Sequence, residues 1–229
     1  DRRKTVVALL SQILGEPAAV ALISLGLLLW FRGGGRPSWR RVALAGVLVG
    51  LGLLSKMQIA IALIPALGLV SMVRWRHQPR VLAQQLLLPV LSFAVFVLWS
   101  AIGSAATPPD IRAENTAMLV DAIRTNLLTF LFGRTLPAAS WLIVGIMLLA
   151  VMTVAIRLWR QHHAWTDAQW AELLLAVFVA FTAGWFALLS VGWPRYAYAG
   201  LVVALLLLGK TLWDGWQRRG WPGETATTI

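Results

Sequence analysis

Two basic residues in apolar surroundings carry the chemistry this sequence offers. Lys56, in "GLLSKMQIAIALIP" (residues 52 to 65), is the sole charge between Val42 and Val73. Arg195 and Tyr196 stand in "WPRY", a short link between two apolar runs. Lysine supplies a point charge and arginine a planar fork. Beside a tyrosine hydroxyl, at the lip of a helix bundle, they suit a phosphate at a membrane surface with its lipid tail against the helices. Glu16 in "LGEPAAV", Gln58 in "SKMQ", and Asp110, Arg112 and Glu114 are expected on the same face. Each also has a plainer role. Glu16 and Asp110 stand at helix starts, where a carboxylate meets the macrodipole or caps the backbone. Lys56 and Arg195 could anchor helix ends in water.

Other chemistries find little footing. No HExxH, Walker glycine loop or GxSxG occurs. His162 and His163, with Asp167 beyond them, read as solvated loop residues, and no metal site is assigned. "RGGGRP" follows no strand and reads as a connector. Without cysteine there is neither a disulfide framework nor a thiolate metal site. The net charge of +11 could suggest nucleic acid, but the basic residues cluster at the ends of apolar runs, so no nucleic-acid partner is expected.

These residues must be positioned by a membrane protein. Hydrophobic residues make up 59% and charged residues 13% of the chain, with mean hydropathy +0.75; soluble proteins carry about 25% charged residues. Runs such as "LVVALLLLG" do not alternate, which excludes a β-barrel. The expected fold is all-α, a polytopic bundle of about seven spans. The chain opens on Asp1 with no signal-peptide pattern and reads as part of a longer protein.

Length decides the topology around Lys56. One helix over residues 42–73 would be about 48 Å long, against a hydrocarbon core of about 30 Å. Two short spans turning at Ser55–Lys56 fit better and bring Arg40 and Arg41 to the side of Arg74 and Arg76. The other spans are expected at about 16–31, 81–103, 137–158, 171–192 and 196–213. Residues 1–213 then form the transmembrane domain and 214–229 a cytoplasmic tail. Counting Lys and Arg by side gives twelve against eight, which makes the richer side cytoplasmic. Tryptophans near most predicted span ends support the scheme; Trp185 is the interior exception. Between spans four and five, residues 104–136 form an extracytoplasmic segment. "TPPD" starts a helix there, and Leu119, Ile123, Leu127 and Phe130 recur at helical spacing, as in an amphipathic surface helix.

The stretch from "LGEPAAV" through the basic loop to "GLLSKMQIAIALIPAL", together with the later "GWPRYAYAGLVVALLLLG", resembles the GT-C class of membrane glycosyltransferases. Protein O-mannosyltransferases and lipid A aminoarabinose transferases belong to that class. The similarity covers about Gly15 to Leu208 through short motifs, and their order and spacing carry it. It implies a sugar moved from a polyprenyl-phosphate carrier at the extracytoplasmic face, with a bacterial inner membrane as the expected location and membrane lipid and lipid-linked sugar as partners. Lys56, Arg195 and Tyr196 would hold the carrier phosphate. Glu16 would line the acceptor or sugar side, with Gln58, Asp110, Arg112 and Glu114 completing the lining. The catalytic aspartate of that class lies in an early outer loop and is expected upstream of residue 1. Tyr198 and Ala199 stand where relatives often carry Leu and Pro. A lipid-linked-solute transporter and a non-catalytic membrane subunit are the competing readings. Against transport, the ionisable groups lie near span ends rather than at mid-membrane depth.

Overall fold

The computed structural model describes residues 18–32, 38–54, 57–106, 109–110, 113–114, 117, 120–121, 138–160, 165–188 and 197–218. Among them no strand occurs. The helices are α1 (Ala18–Phe31), α2 (Trp39–Leu53), α3 (Met57–Trp75), α4 (Pro79–Ala106), α5 (Ala138–Arg160), α6 (Asp167–Leu188) and α7 (Tyr198–Arg218). The described residues between 109 and 121 are helical as well. By length and composition α4, α5, α6 and α7 could each cross a membrane, whereas α1 and α3 are shorter apolar helices. In its described residues the protein is thus an all-helical membrane protein.

The chain divides into two compact units, Asp1–Asn126 and Leu127–Ile229. In the first, α2 packs between α1 and α4. Ser38 caps it with extended backbone (φ −85°, ψ 141°), and its Oγ accepts the Arg41 N–H at 3.2 Å. The helix ends at Leu53, where the Leu54 N–H reaches only three residues back, to the Leu51 carbonyl at 3.3 Å. Small residues line both contact faces of α2. A methyl group on Gly46 would sit 3.0 Å from the Leu88 carbonyl oxygen; on Gly50 it would sit 2.8 Å from Val95 Cβ. Towards α1, the same methyl on Gly52 would meet the Ala19 oxygen at 2.8 Å. Close backbone approach of this kind drives helix pairing where water exclusion contributes little. Two polar contacts join it: Ser92 Oγ donates to the Gly46 carbonyl at 3.0 Å, and Trp30 Nε1 donates to Gln85 Oε1.

Helix directions follow from these contacts. Gly46 meets Leu88 and Leu91 while Gly50 meets Ser92 and Val95, so α2 and α4 run parallel. Gly26 meets Ala45 and Val49 while Gly52 meets Ala19 and Ile23, so α1 runs antiparallel to both. A tight turn, with Gln78 N–H on the Trp75 carbonyl at 2.8 Å, reverses α3 into α4. Pro79 occupies the first helical position, where its missing N–H costs nothing. The stretch 42–73 is therefore two helices, as the length argument requires.

The second unit is a three-helix bundle of α5, α6 and α7 around Met147, Val154, Leu174, Val179, Phe186, Ala204 and Leu207. Gly200 lets α7 approach closely: a methyl there would lie 2.6 Å from Thr182 Cγ2 and 3.0 Å from Met147 Sδ. Thr153, Thr182 and Thr211 each donate to the carbonyl four residues back, at 2.7, 2.9 and 2.9 Å, which hides their hydroxyls from the apolar surroundings.

Two boundaries differ from the sequence reading by a full turn or more. α6 starts at Asp167, a turn before the expected Ala171, because Thr166 and Gln169 form a capping box: Gln169 Oε1 accepts the Thr166 N–H at 2.7 Å, and Thr166 Oγ1 accepts the Gln169 N–H at 3.3 Å. Trp165 and Trp170 close it as a hydrophobic staple, ring centroids 4.8 Å apart. α7 continues to Arg218, so residues 214–218, expected in the tail, are helical. Ion pairs on Lys210 and Asp214 explain that extension.

Candidate functional site

Three junctions of the first unit face one end. α1 begins beside the last turn of α2, as the Gly52–Ala19 approach requires. α2 gives way to α3 between Leu54 and Met57. α4, parallel to α2, runs past that level to Ala106, and helical residues resume at 109–110. These are the places where the sequence puts Glu16, Lys56 with Gln58, and Asp110 with Glu114.

The predicted residues fare unequally. Gln58 lies in the first turn of α3. Asp110 and Glu114 are helical and exposed. Glu16, Lys56, Arg112, Arg195 and Tyr196 lie outside the described residues, as do His162 and His163 and the cap residues Thr107 and Pro108. In the surface segment, Leu119, Ile123, Leu127 and Phe130 also lie outside them, while Asp121 is helical and exposed. Among the described residues no group of three or more His, Asp or Glu gathers in a way that could hold a metal ion.

The opposite end of the first unit is cationic. Arg32 follows α1, Arg40 and Arg41 open α2, Arg74 closes α3, Arg76 lies in the turn, and Arg80 is in the first turn of α4. The Trp30–Gln85 bond ties the last turn of α1 to the start of α4, so these cations share an end. Arg74 lies over the Trp75 ring, 4.8 Å from its centroid, and Arg76 Nε donates to His77 Nε2 at 2.9 Å.

In the second unit the structure adds a cluster that the sequence reading missed. Arg157 on α5 pairs with Glu172 on α6 and, at 3.1 Å, with Asp214 on α7. Lys210 Nζ lies 3.2 Å from Glu172 Oε1 and 2.6 Å from Asp214 Oδ2. Arg157 and Glu172 are largely buried, with side chains 15% and 12% exposed. Two cations and two carboxylates satisfy each other, so the cluster acts as a clamp on three helix ends rather than as a ligand site. A signal existed: Glu172 is an acid within the apolar run of span six, and Lys210 and Asp214 are spaced i, i+4.

The chain, compared with protein-family models, curated proteins and solved structures, matches none of them.

Proposed function

We propose that this chain serves in a membrane glycosyltransferase that moves a sugar from a polyprenyl-phosphate carrier to an acceptor at the extracytoplasmic face, in a bacterial plasma membrane. One observation carries the reading: the α1 start, the α2–α3 junction and the outgoing end of α4 face one end of the first unit, with the arginines at the other. The positive-inside rule makes the arginine end cytoplasmic, so the junction end is extracytoplasmic. In this reading all seven helices cross the membrane, the short ones standing upright or thinning the bilayer. Two of the three motifs resembling the GT-C class, "LGEPAAV" and "GLLSK", belong to the stretches of sequence that flank these junctions, and the third, "WPRY", to the second unit's stretch.

Lys56 and Arg195 then hold the carrier phosphate, with Tyr196 donating a hydroxyl. Glu16, Gln58, Asp110, Arg112 and Glu114 line the sugar and acceptor. The acceptor oxygen displaces the carrier at the anomeric carbon, and the carrier leaves as a phosphate whose growing negative charge the two cations stabilise. No residue of this sequence is assigned as the base that deprotonates the acceptor.

The test is donor binding in nanodiscs, with a short-chain polyprenyl-phosphate sugar as probe. Lys56→Ala and Arg195→Ala should each weaken binding by about tenfold to a hundredfold, the worth of a charge-assisted hydrogen bond. Unchanged affinity in both variants would remove the reading. Movement of a fluorescent donor between leaflets, without sugar transfer, would replace it with transport.

A further inference from the structure

The arginine end has a charge that nothing in its own stretch of chain can balance. Between residues 17 and 109 the sequence contains no aspartate or glutamate. Arg32, Arg40, Arg41, Arg76 and Arg80 are exposed, and Arg74 is half-buried over Trp75. Contacts among α1, α2 and α4 and the tight α3–α4 turn bring them to one end of a bundle whose flanks are apolar. We propose that this end is a docking surface for anionic phospholipid headgroups of the leaflet at which it opens.

Depth supports this partner. α4 has 28 residues, about 42 Å at 1.5 Å per residue, longer than the hydrocarbon core of about 30 Å. An arginine in its first turn therefore reaches headgroup level. Trp39, 56% exposed, and Trp75 mark the same depth, where indole rings favour the boundary between acyl chains and water. Chemistry supports it as well. Guanidinium forks pair bidentately with phosphate oxygens. α2 and α4 both start at this end, so their partial positive charges add to the arginines. Acyl chains find exposed apolar side chains beside the cations, among them Leu44 and Val73. A free phosphate or a soluble polyanion would use the charge and leave that apolar flank unused. The inference does not depend on the proposed glycosyl transfer.

The experiment is native mass spectrometry of the full chain released from detergent, with phosphatidylglycerol or phosphatidylcholine as probe. Wild-type protein should retain phosphatidylglycerol at least about tenfold better, and the preference should collapse between 0.05 and 0.5 M salt, where screening shortens the reach of the arginines. Each arginine near an anionic surface contributes about a fivefold factor. Arg40→Gln, Arg41→Gln and Arg80→Gln combined should therefore lower retention about a hundredfold, and the same three changed to Lys should keep most of it. Equal retention of the two lipids by wild type would overturn the proposal, as would an unchanged preference at high salt or in a correctly oriented glutamine variant. If the glutamine variant does not fold, the salt titration of wild type decides alone. Inorganic phosphate is the last arm: displacement of phosphatidylglycerol beyond that by chloride at equal ionic strength would overturn the lipid assignment in favour of a soluble phosphate.

Discussion

The two units solve the same problem, joining helices in an apolar medium, by different means. The first uses absence of side chain: Gly26, Gly46, Gly50 and Gly52 bring backbones together, and neutral donors such as Ser92 and Trp30 add direction. The second uses one close approach at Gly200 and then a ring of four charges. In the second unit arginine is matched by acid from neighbouring helices. In the first, the arginines gather without any acid in their stretch of sequence. The lesson is that basic residues at helix ends are not one category. Some are matched by acids on helices packed against them, and others gather in a stretch of sequence that contains none.

This contrast can be broken first at Arg157. Arg157→Met leaves Glu172 and Asp214 with Lys210 alone and should destabilise the second unit by about 3 kcal/mol. Lys210→Met should cost under about 1 kcal/mol, because that side chain is 48% exposed and water screens its pairs. Hydrogen exchange read separately on 18–106 and 138–218 checks both, and equal losses in the two units would erase the distinction drawn between them. Next in size, Gly50→Val should destabilise the first unit by about 2 kcal/mol through overpacking against Val95 and Ser92. Gly145→Ala, where a methyl meets nothing within 4 Å, should be neutral or stabilising by up to about 1 kcal/mol. Thermal unfolding in one detergent compares the pair. The smallest effects concern two buried serines. Ser92→Ala should cost about 1 kcal/mol by removing its bond to Gly46, whereas Ser71→Ala should not destabilise, since Ser71 Oγ is buried without a hydrogen-bond partner. A loss at Ser71 as large as that at Ser92 would show that the hydroxyl is satisfied after all.

The fold was legible where a single physical limit decided it. A bilayer is too thin for one helix over 42–73, and one lysine in that run left a single sensible place to turn; α2 and α3 do separate there. The same reasoning failed at helix ends governed by local hydrogen bonds. "WTDAQW" contains a cap, its reciprocal glutamine and both staple tryptophans, yet hydropathy alone begins the span at Ala171. The end of α7 was misplaced for another reason. "WDGWQRR" looks like departure into water, but Asp214 is held by Arg157, which is distant in sequence. Pairing across helices cannot be read from the count of charges by side, which treats Arg157 and Lys210 only as markers of topology. For the candidate site, span ends pointed to Glu16, Lys56 with Gln58, and Asp110; the described helix ends flanking those positions share one end of the first unit, while Glu16 and Lys56 themselves lie outside the described residues. Arg195 and Tyr196 belong to the second unit's stretch of chain and lie outside the described residues.

The four-charge ring also bears on how the protein is made. Ribosomal synthesis delivers α5 and α6 before α7, and the first two already contribute a complete couple, Arg157 with Glu172. The last helix brings its own couple, Lys210 with Asp214, one turn apart. Once α6 has followed α5, the finished cluster forms by the meeting of two couples, each of zero net charge.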